Sequence, residues 1–129
     1  MSFIRVVVGI IINTDEKILI AKRASHQHQG DKWEFPGGKI EEGETPQQAL
    51  RRELKEELGI SIQSARQIKE IKHNYTDKTV LLDVYEVRDW QGEVHGCEGQ
   101  PLLWVDRLVL SQYDFPDANV EILEALSAV

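Results

Sequence analysis

Between Gly38 and Ile60 the chain concentrates carboxylates, with Glu44 in a polar stretch and Glu53, Glu56 and Glu57 in the segment that follows. Clustered hard oxygen donors suit Mg2+, or Mn2+ in its place, and no thiolate or histidine set offers the softer ligands that zinc prefers. Cations held this way could sit between the protein and a polyphosphate. The chemistry implied is hydrolysis of a phosphoanhydride, in which charge on the leaving pyrophosphate is neutralised, a water aligned and its proton removed.

Those glutamates need a scaffold, and the local sequence predicts one. Thr45 is placed as an N-cap, Pro46 at the first helical position and Gln48 for a capping box. The helix should run from Pro46 to about Leu58, with Gly59 as its stop. At about 100° per residue, Glu53, Glu56 and Glu57 fall within roughly 100° of one another, beside the apolar stripe of Leu50, Leu54 and Leu58, while Arg51 and Lys55 face outward. Glu53 and Glu57 form an i,i+4 like-charge pair, which disfavours an isolated helix by a few tenths of a kcal/mol. A bound cation would reverse that sign. Taken alone, the helix is better explained by glutamate's helix propensity and an ordinary Arg52 to Glu56 ion pair.

Around this helix, Phe3 to Ile12 and Lys17 to Ala21 are apolar and β-branched and read as a hairpin about Asn13-Thr14-Asp15-Glu16. Ser25 to Lys32 reads as a surface loop, Trp33-Glu34-Phe35 as a short strand, and Pro36-Gly37-Gly38 as the turn that ends it. A second hairpin is expected from Ile68 to Tyr75 and Thr79 to Val87 around Asp77-Lys78, a further strand from Leu102 to Val105, and a helix from Val120 to Leu126. The order suggests an α/β or α+β sandwich, with a mixed sheet between helices. With no repeat, linker or low-complexity tract, residues 1–129 are expected to form one domain.

The net charge of −7 argues against a nucleic-acid partner, and it makes a phosphate ligand dependent on cations. Met1 to Ile12 has neither the basic start nor the length of a targeting or membrane segment, so no membrane partner is expected. Cys97 is the single cysteine, which excludes an intramolecular disulfide and fits a reducing, cytoplasmic setting. His26, His28, His73 and His95 have no ligand spacing, Cys97 reads as a bystander thiol, and Trp33, Trp90 and Trp104 as core or sheet-edge residues. A monomer acting on a small molecule is expected.

The spacing across the acidic stretch is more specific than its composition. Gly38, five residues, Glu44, seven residues and then Arg52-Glu53-Leu54-Lys55-Glu56-Glu57-Leu58-Gly59-Ile60 matches G-x5-E-x7-R-E-U-x-E-E-x-G-U, with U aliphatic, at every fixed position. Chance would produce its fixed residues at on the order of one in 10⁸ starting points, so coincidence is set aside. The pattern is the Nudix box, and the chain resembles the Nudix hydrolases. Within them it looks like the MutT branch through Val8-Gly9-Ile10-Ile11, Arg23-Ala24, Glu34 to Glu41, Gly43 to Pro46, Glu98-Gly99-Gln100-Pro101 and Asp114 to Asn119. The resemblance implies a Nudix α/β/α sandwich. It also implies attack of water within the polyphosphate of a nucleotide such as 8-oxo-dGTP, giving the monophosphate and pyrophosphate and keeping oxidised bases out of replication.

On that basis the metals are assigned to Glu53, Glu56 and Glu57, with the Gly37 carbonyl as a backbone ligand. Glu98 matches the family's additional loop carboxylate, a further ligand or the general base, and Glu53 could also orient the water. Arg52 is expected to position the glutamates and Glu44 to close the loop. The nucleotide-facing positions are Arg23, Phe35, Asp77, Lys78 and Asn119, with Glu34 and Tyr75 as neighbours. The Asn119 amide offers one donor face and one acceptor face to a purine O6 and N7 edge, whose N7 carries hydrogen only in the 8-oxo base. Alone, an Asn at that position reads as an N-cap. Relatives often carry Arg at the position of Lys78 and Phe at that of Tyr75, which leaves base specificity open. The rival readings are a Nudix enzyme for another nucleotide, such as a modified pyrimidine triphosphate or a nucleoside diphosphate derivative, and a non-catalytic base-recognition module.

Overall fold

A computed structural model describes residues 2–23 and 30–127. The predicted loop residues Ser25 to Gln29, with His26 and His28, lie outside the described residues.

Strand β1 (Ser2–Ile11) is central to a four-stranded sheet of order β4-β1-β6-β5, in which β4 is Gly37–Lys39, β5 is Ser61–Asn74 and β6 is Lys78–Gln91. β1 runs parallel to β6, from Ser2 opposite Lys78 to Ile11 opposite Val87, and antiparallel to β4. A second sheet has β2 (Lys17–Lys22) between β3 (Trp33–Glu34) and β7 (Leu102–Asp106), all antiparallel. The expected hairpin of the first two strands therefore does not form. β1 and β2 are joined by the expected polar turn, but only an isolated Ile12 to Ile18 bridge pairs them before they diverge into different sheets. Both are apolar on both faces, a pattern that records burial but not the partner.

Alternation along these strands builds two cores. Val7, Ile11, Leu19, Tyr85 and Val87 pack against Ala49, Leu50, Leu54 and Leu58 of α1 (Pro46–Leu58). Val8, Ile10, Ile12, Ile18, Ile20 and Val84 pack on the other face, with Leu110 and Phe115 and with Ala118, Ile122 and Leu126 of α2 (Asp117–Ser127). The result is the expected α/β/α layering of a mixed α+β fold. No described helix is long and apolar enough to cross a membrane.

α1 has the predicted ends: Thr45 Oγ1 accepts from Gln48 N, Gln48 Oε1 accepts from Thr45 N, and Gly59 closes the helix at φ 72°. Elsewhere the boundaries move. The turn expected at Pro36-Gly37-Gly38 contains β4, and Phe35 leaves the strand to enter the core. β5 begins at Ser61, its first half too polar to show in an apolar pattern, and its register against β6 shifts three times. A 3-10 helix (Arg107–Gln112), started by Leu108 N donating to Asp106 Oδ1, was not expected. α2 starts at Asp117, because its buried stripe is Ala118, Ile122 and Leu126, while Val120 is exposed.

Candidate active site

The loop before α1 is closed by one guanidinium. Arg52 donates from Nε and Nη2 to the two oxygens of Glu44 (2.7 and 2.9 Å), from Nη2 also to the Lys39 carbonyl (3.0 Å), and from Nη1 to Glu53 Oε1 (2.8 Å). Glu44 in turn accepts from the Glu41 N–H at 2.9 Å. The Arg52 hydrogen bonds, and after them the Glu41 N–H, hold the Glu44 carboxyl at a pKa of about 2. The same contacts push the Arg52 pKa upward. A planar fork is required for this arrangement, since a lysine could not address Glu44 bidentately while holding Glu53.

Glu53 reaches inward past Gly38. A Cβ at Gly38 would sit 2.4 Å from the Glu53 carboxyl carbon, and one at Gly37 would sit 2.0 Å from the Val7 carbonyl oxygen. The paired glycines thus let the β4 backbone lie against both the central strand and the Glu53 carboxylate. Beside Glu53, the Oε2 of Glu57 is buried and has no hydrogen-bond partner. Burial first, and then the neighbouring Glu53 carboxyl, push the Glu57 pKa up to about 9, with Glu34 and Glu98 adding like charge. Glu56 is elsewhere: its side chain is 57% exposed and its carboxylate lies 3.5 Å from Arg52. Helix geometry accounts for the split, because residues four apart share a side, so Glu57 follows Glu53 and Glu56 follows Arg52. Among the described residues no three carboxylate, histidine or cysteine side chains converge as a complete metal cage.

Glu98 is carried to this place by the loop after β6. His95 N donates to Leu58 O (3.1 Å) and Cys97 N to Glu57 O (2.9 Å), fastening the loop to the last carbonyls of α1. The Gln100 amide then bridges the two glutamates: its Nε2 donates to Glu57 O at 3.0 Å and its Oε1 accepts from Glu98 N at 2.9 Å. Sequence reasoning used Gln100 only as part of a matching stretch and gave it no role. An amide next to a proline carries no signal of a bond to a residue 43 positions away.

A cleft of about 450 Å3 brings together Arg23, Glu34, Phe35, Gly37, Glu53, Glu57, Tyr75, Lys78, Glu98 and Asn119. Its apolar lining comes from Ile4, Val6 and Val8 of β1 and Val80 and Leu82 of β6. Lys39 also lines it, a cation the sequence reading did not single out. Arg23 Nη1 donates to Glu34 Oε1, and burial pushes the Glu34 carboxyl up against the pull of Arg23. Phe35 is buried and stacks on Phe115 with ring centroids 5.2 Å apart. Asp77, exposed in the turn between β5 and β6, does not line the cleft, and neither do Glu44, Arg52 and Glu56. Asn119 is not the N-cap of α2 but sits in its first turn. Its amide makes no hydrogen bond to another described residue.

The sequence matches the NUDIX domain family over residues 7–125. The chain belongs to the Nudix hydrolases. It is 42% identical to the 8-oxo-dGTP diphosphatase of Escherichia coli K12, over 98% of each chain. It is 37% identical to the CTP pyrophosphohydrolase of the same organism, over 95% of this chain and 91% of that one. A solved MutT structure, from work on Aliivibrio salmonicida and Vibrio cholerae, superimposes with a TM-score of 0.86 at 38% identity, covering 98% of each chain. Nudix hydrolases depend on divalent cations, and the residues here fit one. A buried carboxylate oxygen without a partner, facing a second carboxylate, is an arrangement that a cation stabilises and that protein groups in this site leave unsatisfied.

Proposed function

We propose that this chain hydrolyses oxidised purine nucleoside triphosphates, 8-oxo-dGTP foremost, to the monophosphate and pyrophosphate, and so limits mutagenic incorporation during replication. The reading includes one catalytic domain acting as a cytoplasmic monomer on a small nucleotide, without nucleic acid. The observation that carries it is one cleft lined both by the Glu53 and Glu57 carboxylates and by Asn119, whose amide bonds to no other described residue.

Mg2+, with Mn2+ able to substitute, would be held by Glu53, Glu57 and the Gly37 carbonyl, with Glu56 contributing from the rim and Glu98 a further ligand only where it does not serve as the base. When bound it supplies charge neutralisation on the polyphosphate and a more acidic water. The protein groups do the rest. Arg52 and Glu44 fix the α1 side of the site, so that Glu53 does not have to reorganise during the reaction. Glu98 takes the proton of the attacking water at its carboxylate, and Glu53 is the alternative acceptor. The water oxygen bonds to the β-phosphorus as the bond to the bridging oxygen of the α-phosphate breaks, releasing the monophosphate. In the same cleft Arg23, Phe35, Lys78 and Asn119 surround the base and sugar, and Asn119 distinguishes a protonated N7 from a bare one.

The test is kcat/KM for 8-oxo-dGTP, dGTP, CTP and dCTP, with products identified in ¹⁸O-labelled water. A clear preference for 8-oxo-dGTP, with label in pyrophosphate, is the expected result. Orthophosphate as the first product would overturn the reaction, and a preference for CTP would overturn the substrate. The second outcome has a specific basis in the similarity to a CTP pyrophosphohydrolase. A non-catalytic module has none, since every box glutamate is present and the chain is acidic.

A further inference from the structure

Helix α2 begins without a capping side chain. Pro116 stands immediately before Asp117, and its ring has no oxygen to accept an N–H of the first turn. One of those donors is satisfied locally, by Asn119 N bonding to the Pro116 carbonyl at 2.9 Å. The next is satisfied from another part of the fold: Ala118 N donates to the Tyr75 hydroxyl at 3.3 Å, across 43 residues of sequence. Ala118 is buried, so an N–H there needs a protein acceptor.

The tyrosine is itself held in place. Lys78 Nζ lies 5.6 Å from the ring centroid, and His73 packs edge-on at 4.6 Å. His73 Nδ1 is in turn 3.6 Å from a carboxylate oxygen of Glu121 on α2. The tip of the β5–β6 hairpin is therefore fastened to the first turn of α2 by the Ala118 hydrogen bond, with the His73 to Glu121 approach in the next turn, and the residue following Ala118 is Asn119.

We propose that Tyr75 is a positioning residue for base recognition: its hydroxyl caps α2 in place of Pro116 and so fixes the orientation of the Asn119 amide in the cleft. The proposal rests on the purine-nucleotide reading above. It adds that discrimination depends on an oxygen atom that does not itself read the base. An amide that must present a donor and an acceptor to one base edge tolerates little rotation of its backbone, and an uncapped first turn frays. The cap also leaves the Asn119 side chain free, because no residue of α2 has to turn back to satisfy the Ala118 N–H.

Tyr75→Phe deletes that oxygen and keeps the ring. Amide exchange at Ala118 and Asn119 should accelerate about fivefold, the equivalent of one neutral hydrogen bond. The preference for 8-oxo-dGTP over dGTP should fall by about the same factor, through KM for the oxidised nucleotide and not through kcat. Adding Pro116→Ser returns a hydroxyl to the N-cap, and should restore both exchange protection and preference. Unchanged exchange in Tyr75→Phe would overturn the cap. Faster exchange with an unchanged preference would overturn its link to recognition. If the unmodified protein shows no preference for the oxidised base, the substrate reading fails separately. The cap is then judged by KM for whichever triphosphate is hydrolysed best, where an increase in Tyr75→Phe sustains the proposal and no change overturns it.

Discussion

The two ends of the cleft are built in different ways. At the carboxylate end, Gly38, Glu53 and Glu57 line the cleft from one continuous loop and helix braced by Glu44 and Arg52, and the Glu98 loop joins them from later in the chain. At the base end, Arg23 follows β2, Phe35 follows β3, Tyr75 and Lys78 flank a hairpin turn and Asn119 belongs to the last helix. The carboxylate end is tied by charged hydrogen bonds of 2.7 to 2.9 Å within one segment, whereas at the base end the Arg23 to Glu34 ion pair, the Phe35 to Phe115 stack and the 3.3 Å bond from Ala118 N to Tyr75 each join separate segments. A site made of neighbours in sequence can be rigid before the rest of the chain is placed. One made of distant segments takes its shape from the packing, which makes it the end where relatives can differ in substrate.

Four substitutions probe this contrast, the largest effect first. Glu57→Gln should lower kcat/KM by about a thousandfold or more, because it removes a charge the cation needs. In chelator at neutral pH its unfolding midpoint should not fall, since the amide replaces a carboxyl that burial and Glu53 already hold protonated, with one oxygen unpartnered. A variant that is both less stable and only slightly impaired would place the cation elsewhere. Asn119→Ala should reduce the 8-oxo-dGTP to dGTP ratio of kcat/KM by about tenfold to a hundredfold, equivalent to about 1–3 kcal/mol for unmatched polar groups. Equal losses on both nucleotides would move recognition to Phe35 or Lys78.

Gln100→Leu should lower kcat about tenfold while keeping the substrate ratio, because both hydrogen bonds that space Glu57 from Glu98 are lost. A changed ratio would mean that the two ends are not separable. The smallest effect is expected for Glu44→Gln, measured as unfolding midpoint against pH. The folded carboxyl titrates near 2 against an ordinary value of 4.5, so its contribution is fully present above 4.5. It is lost progressively as pH falls towards 2, where the variant and the parent should converge. A gap that persists below that range would assign the effect to packing instead of to the ion pair with Arg52.

The same contrast decides what could be read before the fold was known. The α1 boundaries and both caps were legible because Thr45, Pro46, Gln48 and Gly59 act within a few residues of themselves. The sequence reads Asn119 as a base-facing amide, with an N-cap as the competing reading; the structure puts it in the first turn of α2, and nothing near Pro116 indicates that the cap comes from Tyr75. The resemblance makes Asp77 a nucleotide-facing residue, yet it is exposed in its turn, while Lys78 next to it lines the cleft. Helix angle and the box match both group Glu56 with Glu53 and Glu57, and the position of Arg52 one turn earlier draws it to the rim.

By itself the sequence determined the reaction class, the acidic helix with its ends, and the two-faced burial of the central strands. These depend on interactions between residues a few positions apart, or on hydrophobic periodicity. Tertiary structure decided the rest. It separated β1 and β2 into different sheets, formed β4 where a turn was expected, brought Gln100 between Glu57 and Glu98, and set Tyr75 against Ala118. Each of these pairs a backbone N–H or C=O with a partner far away in the chain. Such groups are alike at every residue, so their partners are fixed only when the strands and helices have packed.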